Sequence, residues 1–237
     1  MTTEKNKPKT KFTLYVSELF YSIQGEGQTI GIPAVFLRLT GCNLNCTWCD
    51  SVEVWRKGNR IAFEDILNEE LIDRLRDGAH LVITGGEPML QAERVGNFIE
   101  WIAYTHGFMP IVEIETNGTI RPKSTLISLV TFWNVSPKLN NSGESYSDRV
   151  KEGPLREFNL LENTIFKFVI ADTVQDIFDI ETEYDFLNKD MFVLMPAGMN
   201  QEELQKTAPK VAEICKSLGV RYSPRVHIDI WNQKTGV

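Results

Sequence analysis

Two hydrophobic patterns alternate along the chain. Short apolar and β-branched runs, each followed by turn residues, predict strands over residues 12–23, 34–39, 80–84, 111–115, 131–135, 164–170 and 191–195. Segments in which apolar residues recur every three or four positions predict helices over residues 64–77, 89–104, 174–187 and 201–218. Pro209 is expected to kink or restart the last helix. The alternation over residues 226–231 predicts a final, docked strand.

Strands that alternate with helices predict an α/β fold, in which a mostly parallel sheet carries its helices outside. The 237 residues are sufficient for one sizeable domain, and no repeat or linker marks a second one. We therefore expect a single domain over residues 12–237. Residues 1–11 are polar and lysine-rich, which predicts a flexible tail.

Composition excludes several classes of function. Charged residues make up 24% of the chain and the net charge is −7, which argues against general affinity for nucleic acid because that affinity depends on clustered Lys and Arg. No apolar run approaches the length of a membrane span, so no membrane association is expected.

Three of the four cysteines lie close together, at Cys42, Cys46 and Cys49. A structural zinc site usually has four protein ligands, and a disulfide would leave one of the three thiols unpaired. An iron–sulfur cluster held by three cysteines keeps one iron open to a small molecule. Cys215 belongs to the apolar stripe of the last predicted helix, where a buried core residue is expected.

Three further motifs follow predicted strands, at residues 84–88, 115–118 and 136–138. Because the carboxyl ends of parallel strands meet at one edge, these motifs and the cysteine segment 42–49 are expected to converge on one active site. The glycines of the first motif would let its backbone approach a ligand, and Glu87 would receive an ammonium group. Taken singly, each motif is equally typical of an ordinary turn.

Several strings together resemble one family. They are Phe20-Tyr21-Ser22-Ile23-Gln24-Gly25-Glu26-Gly27, Phe36-Leu37-Arg38-Leu39-Thr40-Gly41-Cys42, Cys46-Thr47-Trp48-Cys49-Asp50-Ser51, the three strand-end motifs, Pro224-Arg225-Val226-His227, Trp231 and Gly236-Val237. They resemble the 7-carboxy-7-deazaguanine synthases, a radical S-adenosylmethionine (SAM) family of 7-deazapurine (queuosine-type) biosynthesis. The resemblance runs from about residue 19 to residue 237, and residues 140–200 contribute little to it.

The resemblance implies a partial, modified (β/α)6-type radical SAM barrel with an N-terminal extended segment. It implies a [4Fe–4S] cluster, SAM and Mg²⁺ as cofactors. The reaction would convert 6-carboxy-5,6,7,8-tetrahydropterin to 7-carboxy-7-deazaguanine by hydrogen abstraction, ring contraction and loss of ammonia. It also implies an electron donor such as flavodoxin or ferredoxin, a homodimer and a cytoplasmic location.

Carried over motif by motif, the resemblance also implies the site residues. The cluster ligands would be Cys42, Cys46 and Cys49, and the magnesium ligand Ser51. The SAM site would comprise Trp48, Cys49, Asp50, Gly86, Ser136, Pro137 and Lys138. The substrate contacts would be Ile23, Gln24, Gly25, Arg38 and Thr84. Because the resemblance continues to the last residue, we also expect the Val237 carboxylate to enter the site and accept hydrogen bonds from the pterin.

Three alternatives remain open at the level of sequence. A glycyl-radical-enzyme activase shares the cysteine spacing but does not require the Gln-Gly-Glu-Gly string. A non-catalytic zinc-binding module would contain zinc in place of iron and sulfide. A paralogue acting on a different pterin or purine would keep every motif named above.

Overall fold

A computed structural model describes residues 12–234 and 236, and within them the strands form one sheet. The expected tail, residues 1–11, and Val237 lie outside the described residues. The order in the sheet is β3-β1-β2-β4-β5-β6-β7-β8-β9. The strands are β1 (Thr13–Ile23), β2 (Pro33–Leu39), β3 (Asn59–Ala62), β4 (His80–Gly85), β5 (Val112–Thr116), β6 (Phe132–Val135), β7 (Thr164–Ile170), β8 (Phe192–Pro196) and β9 (Arg221–Tyr222).

The sheet is mostly parallel and open. Neighbouring strands from β2 through β4 to β9 pair in parallel, whereas β1 pairs antiparallel with both β2 and β3. In the described residues, the edge strands β3 and β9 do not pair with each other, so the barrel is not closed. This architecture confirms the expected partial barrel with an N-terminal extended strand.

Helices connect the parallel strands and cover one face of the sheet. Leu81 and Ile83 of β4 pack into the main core together with Val95 and Phe98 of the following helix. Val82 points to the opposite face, because side chains alternate along a strand. The helices are α1 (Val52–Trp55), α2 (Glu69–Arg76), α3 (Ala92–His106), α4 (Ser124–Ile127), α5 (Tyr146–Arg149), α6 (Glu152–Phe158), α7 (Gln175–Glu183), α8 (Gln201–Leu218) and α9 (Val226–Trp231).

Two predicted helices begin later than expected. Asn68 accepts a hydrogen bond from the Leu71 amide at 2.9 Å, so it caps α2, and the preceding residues Phe63–Asp65 form a 3-10 turn. A second 3-10 turn, Pro88–Gln91, precedes α3. Apolar periodicity continues through both turns, so the periodicity alone could not locate the first residue of either helix.

The prediction of a strand over residues 226–231 is wrong, because Val226–Trp231 form the helix α9. Ile228 is buried whereas Ile230 is 54% exposed, so the alternation in sequence does not correspond to two faces of a strand. Amides of Ile228 and Asp229 both donate to the Arg225 carbonyl, at 2.9 and 3.1 Å, as in a first helical turn. Six residues are too few for a period of 2 to be distinguished from a period of 3.6.

The predicted helix over residues 201–218 is confirmed as α8, which continues through Pro209 without interruption. Pro209 and Gln205 are both exposed, so the carbonyl that loses its partner one turn earlier lies on the solvent side. Cys215 is 4% exposed within the main core, as expected. Within residues 12–234 and 236, no helix has the length and apolar character needed to cross a membrane.

Candidate active site

The strand-end motifs do converge on one cavity. It has a volume of about 830 Å³ and is bounded by residues at the carboxyl ends of the parallel strands, including Cys42, Gly86, Asn117 and Ser136. Strands β7 and β8 contribute further lining residues. A cavity of this volume is within the range that proteins use for cofactors and small substrates.

Cys42, Cys46 and Cys49 all line this cavity as free, partly exposed thiols. The Leu44 amide donates to Cys42 Sγ at 3.5 Å, and the Trp55 indole donates to Cys49 Sγ at 3.5 Å. Burial raises the pKa of the Cys42 and Cys46 thiols, although Lys138 opposes that rise electrostatically. Because a metal competes with protons for a thiolate, binding at these residues should release protons.

The donor set fits an iron–sulfur cluster. Within residues 12–234 and 236, no three His, Cys, Asp or Glu side chains are arranged to hold a single metal ion. An iron–sulfur cluster does not require the three side chains to converge on a single ion, because each thiolate binds a different iron. Three soft sulfur donors on one cavity wall therefore suit a [4Fe–4S] cluster with one iron open to a ligand.

Most residues expected near SAM lie on the same wall. The residues that line the cavity are Trp48, Cys49, Asp50, Gly86, Ser136 and Lys138. Lys138 Nζ stands 5.4 Å from the centre of the Trp48 ring and donates to Ser136 Oγ at 3.1 Å. Pro137 is buried and does not line the cavity.

The glycines of the 84–88 motif have a different use from the one expected. A Cβ at Gly86 would collide with the Gly41 carbonyl, and the Glu87 amide donates to that same carbonyl at 2.8 Å. Glycine is therefore needed because the cysteine segment packs directly on this turn. The close approach that the glycines permit is between two protein segments.

The expectation that Glu87 receives a ligand ammonium group does not agree with the structure. Its side chain is completely buried and accepts from the Thr116 hydroxyl and the Asn117 amide, both at 2.7 Å, and from the Met89 amide at 2.9 Å. Burial raises the pKa of this carboxyl, and the three hydrogen bonds oppose the rise. Glu87 therefore ties the end of β4 to the end of β5.

Residues expected to contact substrate form a second wall. Gln24 Nε2 donates to Glu113 at 2.7 Å and to Glu115 at 3.1 Å, and the Thr84 hydroxyl donates to Glu115 at 2.8 Å. Glu113 is completely buried, and Asn134 also donates to it. The two glutamates thus fix the orientation of the Gln24 amide.

Arg38, Ile23 and Gly25 also line the cavity. The Arg38 guanidinium uses Nε to pair with Glu18 at 3.1 Å, and its two terminal nitrogens make no hydrogen bond to residues 12–234 or 236, so they can pair with a planar anion such as a carboxylate. Gly236 lines the cavity on this side, and a Cβ at Gly236 would be 3.5 Å from Glu18 Oε1. The last described residue therefore reaches the Arg38 wall.

A buried ionic network in the cavity wall was not predicted. Glu26 pairs with Lys167 and, at 2.8 Å, with Arg225 Nε. Arg225 also donates to Asp50 at 2.6 Å and to the Gly198 carbonyl at 2.5 Å. This one guanidinium therefore joins the 24–27 loop, the residue that directly follows the cysteine segment, and the turn after β8.

Charges in this network stabilise one another despite their burial. Burial would raise the pKa of Glu26, but Lys167 and Arg225 outweigh it and hold that pKa well below the usual value. Burial would lower the pKa of Lys167, but Glu26 and Glu115 raise it overall. His227, 3.8 Å from Glu26, has its pKa lowered because burial dominates.

One signal in the sequence could have located this network. Lys167 interrupts an otherwise apolar strand, Thr164–Ile170, and a charge in such a position needs a buried partner. Nothing in the sequence indicated that the partner would be Glu26.

Comparison with known proteins agrees with this geometry. A family model described as "4Fe-4S single cluster domain" matches residues 23–125. The 7-carboxy-7-deazaguanine synthases of Pyrobaculum aerophilum and Halobacterium salinarum are 34% and 33% identical to the chain, over 93% and 92% of it and over 96% and 91% of their own lengths. The crystal structure of QueE from Escherichia coli aligns with a TM-score of 0.67 at 26% identity, covering 92% of this chain and 96% of that one.

A partial parallel barrel with three cysteines on the cavity at its strand ends, together with these matches, defines the chain as a radical SAM enzyme with a [4Fe–4S] cluster. The relatives at 33–34% identity cover nearly its whole length. The chain belongs to the 7-carboxy-7-deazaguanine synthase family.

Proposed function

We propose that this enzyme converts 6-carboxy-5,6,7,8-tetrahydropterin to 7-carboxy-7-deazaguanine, the product named in its relatives. The observation that carries the proposal is one cavity of about 830 Å³ lined both by three thiols and by polar groups suited to a carboxylated pterin. The test is anaerobic turnover of the pterin with SAM and a reductant, with products identified by mass. Cleavage of SAM without formation of the deazapurine would assign the enzyme to a different substrate.

Cys42, Cys46 and Cys49 would hold the cluster, and the SAM side of the cavity would be formed by Trp48, Cys49, Asp50, Gly86, Ser136, Pro137 and Lys138. When bound, the cluster and SAM supply a 5′-deoxyadenosyl radical. Lys138 places a cation over the Trp48 ring, and it can balance an anionic group of SAM there. Pro137 would act through the backbone, because it is buried away from the cavity.

The pterin would lie against the opposite wall. The free edge of Arg38 is suited to the substrate carboxylate. Gln24 and Thr84, both held by Glu115, would present polar groups in fixed orientations. Ile23 and Gly25 also line the cavity and would complete this wall.

Mg²⁺ is proposed to bind at Ser51, because this hydroxyl caps no helix although the residue precedes α1. Its Oγ is 3.7 Å from Cys49 Sγ, and Ser51 lines the cavity, which supports a place near both the proposed cluster and the proposed substrate. Magnesium prefers oxygen ligands and keeps several waters.

Ser51→Ala should therefore reduce the stimulation of turnover by MgCl₂ while leaving iron and sulfide content unchanged. Ser128→Ala, at an exposed position, is the control. If the Ser51→Ala enzyme responds to magnesium like the parent, Ser51 is not a magnesium ligand.

The Val237 carboxylate is proposed to accept hydrogen bonds from the amino-pyrimidine ring of the pterin. The support is Gly236, which lines the cavity beside Glu18. Appending residues after Val237, or deleting Gly236 and Val237, should weaken substrate binding about ten- to hundredfold, since a charge-assisted hydrogen bond contributes roughly 1.5–3 kcal/mol. The measurement is pterin affinity under anaerobic conditions. The same appended sequence placed before Met1 is the control, and unchanged affinity with the C-terminal extension would contradict the proposal.

The proposed partners follow from the chemistry. A radical SAM cluster needs a one-electron donor, for which a flavodoxin or ferredoxin is suitable, and we propose a homodimer. The four cysteines are free thiols, which supports a reducing compartment such as the cytoplasm.

A further inference from the structure

A short loop after β6 supports the cysteine segment from behind. We call residues 139–145 the supporting loop. The Thr47 amide donates to the Ser142 carbonyl at 2.9 Å, and the Asn45 amide donates to the Glu144 carboxylate. Two backbone amides of the cysteine segment, one on each side of Cys46, are thus held by one loop.

Asn141 of the supporting loop contacts a side chain of the cysteine segment. The Trp48 indole N–H donates to Asn141 Oδ1 at 3.0 Å. Trp48 directly precedes Cys49, and Lys138 covers its ring. The orientation of this indole therefore affects both a cluster ligand and the wall proposed for SAM.

The Asn141 amide cannot rotate freely, because its other end is held. Its Nδ2 donates to Asp176 Oδ2 at 2.8 Å and to the Val169 carbonyl at 2.9 Å. Asp176 is 1% exposed, and the same oxygen also accepts from the Ala171 and Asp172 amides at 2.7 and 2.8 Å. With both N–H donors directed at fixed acceptors, the amide oxygen must face Trp48.

We infer that Asn141 is a positioning residue, which connects the start of α7 to Trp48 and so sets the conformation of the cysteine segment for SAM. The inference rests on the proposed SAM site and adds residues to it that the sequence resemblance did not mark. A buried amide that satisfies donors and acceptors on both sides specifies one arrangement, and its removal takes the acceptor from the Trp48 indole and one of three donors from Asp176.

Asn141→Leu keeps the approximate shape and removes all three side-chain hydrogen bonds. It should weaken SAM binding about five- to tenfold while the KM for the pterin stays within about twofold, because the pterin wall is formed by other segments. Asn140→Ala is the matched control, since Asn140 is exposed and, within the described residues, its hydrogen bonds come from the backbone: its amide donates to Asp179 and its carbonyl accepts from the Gly143 amide. Equal changes in SAM and pterin binding would overturn the inference, because they indicate general damage to the site.

A second readout needs neither cluster nor turnover. In cluster-free protein, thiol reagents should label Cys46 and Cys49 several-fold faster in Asn141→Leu than in the parent or Asn140→Ala. Cys215, 4% exposed in the core, is the internal standard and should label at one rate in all three. Identical labelling of Cys46 and Cys49 in the three proteins would overturn the inference even if the parent proved inactive with the pterin.

If Asn141→Leu does not fold, Asn141→Asp provides a second test of the inference. It retains an oxygen toward Trp48 but brings a second carboxylate against Asp176, so the Asp side chain should turn away. Labelling and SAM affinity should then change in the same direction as in Asn141→Leu. Parental behaviour of Asn141→Asp would show that Asp176 does not hold the amide in place.

Discussion

Replacing any one of Cys42, Cys46 and Cys49 by alanine is expected to abolish both SAM cleavage and turnover. Each thiol is assigned to a different iron, so two remaining cysteines cannot keep the cluster with one open iron. The variants should lose iron and sulfide after anaerobic reconstitution, and 5′-deoxyadenosine should not form. The measurements are metal and sulfide analysis together with detection of the cleavage product.

Cys215→Ala is the control for this series. Cys215 is buried among core residues of α8 and lies outside the cavity, so its variant should retain cluster and activity. The core loses only a sulfur, which costs about 1 kcal/mol of stability. A fully active Cys46→Ala enzyme would refute the assignment of the cluster ligands.

Arg225→Met is expected to have the second-largest effect, on both stability and activity. The guanidinium is 8% exposed and connects Glu26, Asp50 and the Gly198 carbonyl. Removing one partner from a buried ionic network costs about 3 kcal/mol, because a buried carboxylate loses a cation. Lys167 remains beside Glu26 and limits the loss. Turnover should fall as well, since Asp50 directly follows Cys49.

The pH dependence of unfolding tests the same network. The Glu26 pKa is depressed in the folded protein, so its contribution to stability is complete above the usual glutamate pKa and is lost as the pH falls through the folded value. Without Arg225 the folded pKa rises toward the usual value. On acidification Arg225→Met should therefore lose less stability than the parent does, and that loss should be complete at a higher pH, as measured by denaturant unfolding between neutral and acidic pH.

Two comparison variants separate charge from geometry. Arg225→Lys keeps the charge but loses the fork that reaches three partners, so it should retain the acid dependence better than it retains activity. Arg156→Met removes an exposed pair with Glu152, and surface pairs contribute about 0–1 kcal/mol. If Arg225→Met were no less stable than Arg156→Met, the buried network would not contribute to stability.

Most parallel strands could be predicted because each of them is a short apolar run that ends in a turn, whereas the two-residue strand Arg221–Tyr222 was missed because it is too short and polar. Thr164–Ile170 and the strand over His80–Gly85 follow this rule, and the convergence of their carboxyl ends on one cavity follows from parallel topology. The strand Asn59–Ala62 was missed, because it is short, half-polar and pairs only with β1 at an edge.

The partners of charged residues could not be predicted. Glu87 lies in a glycine-rich motif that is typical of ligand binding, yet its oxygens bond the next strand end. Glu26 and Arg225 are 199 positions apart in the chain and meet only in the folded protein. A motif locates a segment near the site, whereas the direction of each side chain depends on packing between distant segments.

The contact between the two ends of the domain affects how the enzyme can be synthesised. The Val226 amide donates to the Gly25 carbonyl at 3.0 Å, and the His227 ring occupies the space that a Cβ at Gly25 would need. The cysteine segment is translated long before Arg225 and His227, which line the same cavity. The three cysteines of the nascent chain therefore lack this part of their enclosing wall until residues 225–227 have been synthesised and can fold against Gly25.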